Sequence, residues 1–294
     1  MKHAILGVGA IGGLMGTALG YVGEDVTLLV RPEKVRDYPK ELSLRQPDRV
    51  ITAAAHAASR ISDPVDVLWI ATKTYQMHSA LDSLDVAAGN VIPLLNGFEH
   101  MQVLRSRFGT ERVHAGAIAV EAERLSEGSF VQHSIVRLTV AASAEPLLGN
   151  LFQQLETRLG FLCRFVDNEQ TLLWTKLCFL ASLALVTSAS GKNKGEVFAD
   201  PKWRGELEAV IAEAAAVANA SGAMVDPEKT RAVFDPLPDS MRASMAKDLA
   251  AGRKLELDAI GGAILRAAAQ HGIAVPTIAE LVASIERQAG ERRA

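Results

Sequence analysis

The chain has 294 residues, 49% of them hydrophobic, and a formal net charge of -3. That length holds one or two domains around a large core, and so small a charge excludes neither but gives no reason to expect nucleic acid or an anionic membrane as the main partner. Its two cysteines, Cys163 and Cys178, lie far apart, with no C-x-x-C and no histidine spacing for zinc, so reduced core thiols of a cytosolic protein are expected and no metal is.

Ala4-Ile5-Leu6 leads into Gly7-Val8-Gly9-Ala10-Ile11-Gly12, then a helical stretch, then a second apolar run, Val26 to Val30, ending at Arg31. Strand, glycine turn, helix and strand in that order form the dinucleotide-binding fingerprint. Gly7, Gly9 and Gly12 let the backbone turn sharply and approach a pyrophosphate. Ala10 and Ile11 open the helix whose N–H groups would face that anion. A glycine-rich turn in some other α/β domain is the alternative. A strand at the very start leaves no room for a signal peptide, and a cytoplasmic location is expected.

An NAD site carries a carboxylate at the end of the second strand. Here the chain reads Arg31-Pro32-Glu33-Lys34. The Arg31 guanidinium suits the extra 2′-phosphate of NADPH, so NADPH is the expected cofactor. Glu33 stands as a rival ribose partner, and a solvated charge is the plainer reading of Arg31.

Val65 to Ala71 reads as a buried strand, followed by Thr72-Lys73-Thr74-Tyr75-Gln76 at the start of a helical stretch. Lys73 would add charge near an adenosine phosphate or else be solvated. Asn90 to Leu95 is a further strand ending at Asn96-Gly97, on the side where open α/β sheets bind ligands. Asn96 is a candidate for the nicotinamide ribose or the substrate, and Asn-Gly is equally a turn signal. Val113–Val120 and Ser129–Val140 also read as strands, the last of them antiparallel at the edge of an otherwise parallel, doubly wound sheet.

Beyond about residue 165, alanine-rich amphipathic segments take over. Helices are expected over 168–189, 202–220, 240–251, 255–271 and 277–289, punctuated by Pro201, Pro227, Pro236, Pro238 and Pro276. Gly222, Gly252 and Gly272 fit C-terminal caps. The expected fold class is α/β, with a Rossmann-type domain over residues 1–165, an all-helical domain over 166–294, and the site in the cleft between them.

From Leu172 to Gly191 the only charge is Lys176. The stretch reaches membrane-span length, but its interspersed Thr and Ser residues favour a helix buried all round in a helical domain. A lysine in such a setting has a partner, a cavity or a lowered pKa, and is suited to protonate a carbonyl oxygen. A lysine reaching water from a helix end is the alternative. Glu256, within Lys254-Leu255-Glu256-Leu257-Asp258-Ala259-Ile260-Gly261-Gly262, is its natural partner. On a helix Glu256 shares a face with Ile260 and Ala263 beside the buried stripe, although a solvated glutamate fits the pattern too.

Together these pieces resemble the ketopantoate reductase family. The resemblance rests on Gly7-Val8-Gly9-Ala10-Ile11-Gly12-Gly13, Thr72-Lys73-Thr74-Tyr75-Gln76, Leu95-Asn96-Gly97, Trp174-Thr175-Lys176-Leu177, Gly195-Glu196, Ser244-Met245, Glu256-Leu257-Asp258 and His271 to Thr277, in order and at the right spacing. It implies reduction of a 2-keto acid to a 2-hydroxy acid with NADPH. By that resemblance Lys176 is the proton donor and touches the substrate oxygen. Glu256 holds the cofactor ribose and positions the lysine, and Ser244 binds the substrate carboxylate. Asn96 lies at the nicotinamide, and Arg31 and Lys73 face the 2′-phosphate. The chain departs from the family at three pocket asparagines, whose positions hold Leu180, Ala184 and Lys194. A more apolar 2-keto acid, or another carbonyl compound, is therefore expected in place of a hydroxylated one. Lys194 would pair with the substrate carboxylate or be solvated. A non-catalytic NADP(H) sensor on the same fold is the alternative function, opposed by the retained Lys176, Ser244 and Glu256. A homodimer is expected by analogy alone.

Overall fold

The computed structural model describes residues 1–85 and 88–291. Contacts divide the chain into two units: Met1–Leu95 with His100–Leu172, and Asn96–Glu99 with the chain from Leu173 onward.

The first unit is built on a five-stranded parallel sheet. Strand β1 (Lys2–Leu6) enters helix α1 (Ala10–Tyr21), and β2 (Asp25–Leu29) enters the short helix α2 (Pro32–Val35). Two strands, β3 (Glu41–Arg45) and β4 (Val50–Ala54), leave this layer. The chain returns to it with β5 (His56–Ala58) and β6 (Val67–Ile70), passes through α3 (Met77–Leu81) and completes the layer with β7 (Asn90–Pro93). The spatial order is β5-β2-β1-β6-β7, all parallel. The unbroken apolar run of β6 follows from that position, since a central parallel strand is covered on both faces; all four of its residues are fully buried.

The remainder of this unit departs from the single sheet expected. Helix α4 (His100–Phe108) precedes β8 (Gly116–Ala119), β9 (Ala122–Ser126), β10 (Ser129–Gln132), β11 (Arg137–Ala141), α5 (Glu145–Leu159) and β12 (Leu162–Val166). These strands form two further sheets, ordered β4-β3-β10-β9 and β12-β11-β8. The stretch 129–140 is therefore two strands in two different sheets. Polar groups break it: the Glu121 N–H donates to Ser134 Oγ at 2.8 Å, and Gln132 Nε2 donates to the Ser134 carbonyl at 3.0 Å. Such side-chain bonds compete with ladder pairing. The antiparallel pairs β8–β11 and β9–β10 lie in these added sheets, not at the edge of the parallel one.

The second unit is helical. Its first helix, α6 (Glu169–Ser190), begins in the first unit and runs on. Among the described residues it is the one helix long and apolar enough to cross a membrane, and 67% of that window is buried. It is apolar all round because it is a core helix. Two of its buried hydroxyls bond back to the helix: Ser182 Oγ donates to the Cys178 carbonyl at 2.9 Å and Thr187 Oγ1 to the Leu183 carbonyl at 2.7 Å. Next come α7 (Lys194–Ala199), closed by a reciprocal Asn193–Glu196 capping box, and α8 (Pro201–Ala220) and α9 (Pro227–Ala232), capped by Asp200 and Asp226. Then follow α10 (Ser244–Ala250), α11 (Ala263–His271) and α12 (Pro276–Glu291). Proline at the first helical position opens α8, α9 and α12. Two short helices, α7 and α9, had no strong apolar period to announce them.

Burial pushes the Cys163 and Cys178 thiols up to about 12. Neither is a nucleophile near neutral pH.

Candidate active site

The parallel register fixes what gathers at one end of the five-stranded sheet. Leu6 is paired with Leu29 on one side and with Ile70 on the other. The residues just past those three positions, Gly7, Arg31 and Thr72-Lys73, therefore emerge at the same edge. This is the carboxyl edge, where ligands of such sheets bind.

The glycine turn is shaped by close approach. A Cβ on Gly12 would sit 2.0 Å from the Gly7 carbonyl oxygen, so no other residue fits there. At Gly9 a Cβ would meet nothing within 4 Å, which leaves open space over the loop. Helix α1 has no side-chain cap at Gly9 and no acidic residue in its first turn, so its positive end is not neutralised by a local carboxylate. Beside the loop, Thr72 Oγ1 is buried and has no hydrogen-bond partner among the described residues. From the other side Arg124 Nη1, on β9, donates to the Val8 carbonyl at 3.4 Å. Arg31 is exposed just before α2, and Lys73 is half-buried before the turn at Thr74. A cradle that excludes a Cβ, an orphaned hydroxyl and two cations fit a phosphate-bearing dinucleotide. Sequence reasoning singled out neither Thr72 nor Arg124. Thr72 was discoverable from its place two residues past a buried strand, whereas Arg124 reaches the loop through a non-local sheet that no local pattern announces.

In the second unit the structure brings together Asn96, Lys176 and Glu256. Lys176 lies on α6 with part of its surface exposed. Burial of its ammonium drives the pKa down from the ordinary 10.5 to about 8, and the Glu256 carboxylate opposes that fall. Glu256 is buried, and Asn96 Nδ2 donates to its Oε2 at 3.3 Å. Glu256 is not on a helix face as expected. It precedes Leu257, the first helical residue, and contributes only its carbonyl, which accepts from the Ile260 N–H at 3.0 Å. Its side chain is therefore not bound to helical periodicity. The widened turn that follows, Asp258–Gly262, closes when the Ala263 N–H reaches back to the Asp258 carbonyl; such turns recur at functional sites.

Ser244 is the first residue of α10 and is exposed. Lys194 is largely buried and not the solvated lysine of one expectation. Its Nζ donates to the Leu237 carbonyl and to Asp239 Oδ1, each at 3.0 Å, and stands 5.3 Å from the centre of the Phe198 ring. Ala184 is wholly buried in the helical core, so of the two apolar replacements on α6 only Leu180, half-buried, keeps exposed surface. Among the described residues no group of three or more His, Cys, Asp or Glu side chains is arranged to hold a metal ion.

The family model described as ketopantoate reductase PanE/ApbA matches residues 3–145, and its C-terminal counterpart matches residues 168–288. The chain belongs to the ketopantoate reductase family. A 2-dehydropantoate 2-reductase from Caulobacter vibrioides is 29% identical over 297 residues, covering 97% of this chain and 98% of that protein. The solved ketopantoate reductase family structure from Ralstonia eutropha JMP134 superposes with a TM-score of 0.86 at 25% identity, covering both chains fully. A D-mandelate dehydrogenase solved with NADH and anilino(oxo)acetate has a TM-score of 0.88 at 23% identity, again over both whole chains, and shares the fold. The ketopantoate reductase family is one of oxidoreductases, and its members act on small-molecule keto acids with a nicotinamide cofactor.

Proposed function

We propose that this ketopantoate reductase family member reduces an apolar 2-keto acid to the 2-hydroxy acid with NADPH in the cytoplasm, as a homodimer. The observation that carries the reading is Lys176, an ammonium with a pKa near 8 that answers to a buried carboxylate, itself bound to the Asn96 amide. When bound, the reduced nicotinamide supplies the hydride that arrives at the substrate C2. Lys176 Nζ holds the proton for the oxygen of that carbon, where negative charge develops. Glu256 and Asn96 take the nicotinamide ribose and keep the lysine in register. Ser244, at an exposed helix start, takes the substrate carboxylate. Gly7, Gly9, Ala10, Ile11 and Gly12 receive the pyrophosphate, and Arg31 and Lys73 receive the 2′-phosphate.

Leu180 supports the apolar substrate. Its position, one turn beyond Lys176, offers no amide to a substrate hydroxyl, and a site without that partner loses its preference for the hydroxylated compound. Lys194 is already held by the 237–239 segment, so we assign it to fixing that segment ahead of Ser244 and not to the substrate.

The test is cofactor oxidation by the purified protein against 2-keto acids with hydroxylated, branched aliphatic and aromatic side chains, with NADPH and NADH in parallel. Turnover with the apolar acids and preference for NADPH are expected. Arg31→Ala should weaken NADPH about tenfold or more and leave NADH nearly unchanged, since only NADPH carries the phosphate. Tight NADPH binding with no turnover of any acid overturns the reading. Equal losses with both cofactors remove Arg31 from the phosphate site.

A further inference from the structure

The four residues Asn96–Glu99 belong to the helical unit, although the chain on either side of them belongs to the other. Every one of them is fastened there. Asn96 bonds Glu256. Gly97, at φ +77°, lies so close that a Cβ would stand 2.4 Å from the Ala259 carbonyl oxygen. The Phe98 ring packs on Trp174 with centres 4.7 Å apart. Glu99 receives Arg266, with Nε donating to Oε1 at 2.8 Å and Nη2 to Oε2 at 2.6 Å.

Arg266 does more than pair with Glu99. Its Nη1 donates to Asp258 Oδ1 at 2.7 Å and its Nη2 to the Asp258 carbonyl at 3.2 Å. That carbonyl also accepts from Ala263 in the widened turn. Gly262 leaves room for the pair, because a Cβ there would be 2.6 Å from Asp258 Oδ1. One guanidinium thus ties the loop carrying Asn96 to the turn that starts two residues after Glu256. An isolated exposed ion pair contributes little. This one is a two-pronged fork on one carboxylate with a third contact on another, the arrangement that fixes geometry as well as charge.

We infer that Arg266 is a positioning residue for the proposed reaction: by clasping Glu99 and Asp258 it sets the Asn96 amide against the Glu256 carboxylate, and so the ground on which the nicotinamide ribose and Lys176 are held. Glu99 and Asp258 are its two anchors. The inference rests on the reductase reading for its consequence, while the clasp itself is a property of the helical unit.

The test is a double-mutant cycle between Arg266→Gln and Asn96→Ala, read as the NADPH dissociation constant by fluorescence titration and, separately, as kcat. Groups acting as one unit are not additive. Arg266→Gln alone should weaken NADPH about tenfold, the scale of a coupling between linked groups. In the Asn96→Ala background the same change should cost less than about twofold. Arg266→Lys, which keeps the charge and loses the fork, should recover only part. If Arg266→Gln unfolds, Glu99→Gln opens the same clasp from the other side and replaces it in the cycle. An equal loss in both backgrounds, no loss in the single variant, or full recovery with Lys overturns the clasp. Wild-type protein that binds NADPH and reduces none of the acids overturns the reductase reading, while the binding cycle still decides the clasp. Protein that binds neither NADPH nor NADH overturns both.

Discussion

Lys176 holds its proton less firmly than an ordinary lysine, because water has been stripped from the ammonium faster than Glu256 restores the lost stabilisation. A pKa of about 8 leaves most of the group protonated at neutral pH and lets it give the proton up readily. Reduction needs the protonated form, so kcat for keto acid reduction should fall as pH rises through about 8. The reverse oxidation needs the neutral amine and should rise over the same interval. Lys176→Ala should abolish that limb and lower kcat by about 10²–10⁴, with NADPH affinity within a few fold of wild type. An unchanged kcat in this variant removes the lysine from the chemistry. At this scale several residues of the candidate site could be named from local signals, and the structure brings Asn96, Lys176 and Glu256 together. A lone cation in a 20-residue apolar run, a strand-end Asn-Gly and an arginine where a carboxylate is usual are local signals. Arg124 and Arg266 were not legible, since each acquires its meaning from a partner at a distance: Val8 is 116 residues from Arg124, and Glu99 is 167 residues from Arg266.

Among the elements, the loop after β7 is tightly constrained. Gly97 combines a left-handed backbone with a carbonyl where a side chain would have to go. Gly97→Ala should cost about 1–2 kcal/mol for the backbone alone, and more for displacing Ala259. Differential scanning calorimetry should register a fall of roughly 2–8 °C, and NADPH affinity should drop with it because Asn96 moves. An alanine variant with unaltered melting and affinity would show that the loop has slack. Glycine turns, proline-led helices and long buried segments were legible at this scale, because each carries its cause in adjacent residues. The sheet formed by β3, β4, β9 and β10 was not. Its strands are only four or five residues long, and β10 pairs with β3 from 86 positions further along the chain. Glu256 illustrates the same limit from the other direction: helical periodicity assigned it a face, but the helix starts one residue too late for that assignment to apply.

For the whole molecule, acid sensitivity should arise in part at the first strand. His3 is buried at the start of β1, where its Nδ1 accepts from Trp69 Nε1 at 3.1 Å and its Nε2 donates to Glu24 Oε2 at 3.3 Å. Glu24 also holds the chain's first amino group at 2.6 Å. Burial holds the His3 pKa below the usual 6.5, against the pull of Glu24. The unfolded chain then takes up this proton more readily than the folded one, so the contribution is complete above about 6.5 and is lost as pH falls below it. Urea unfolding at neutral and mildly acidic pH should show that loss in wild type and a smaller one in His3→Gln; identical slopes would exclude the histidine. The two-unit division has a different consequence. Because residues 96–99 are stitched into the helical unit, the backbone passes from one unit to the other three times, not once. A fragment severed after Leu172 would therefore lack the amide, the aromatic ring and the carboxylate that its own helices were shaped to receive. The helical unit is therefore not a contiguous stretch of the chain, and a piece meant to carry it whole must bring residues 96–99 along with it.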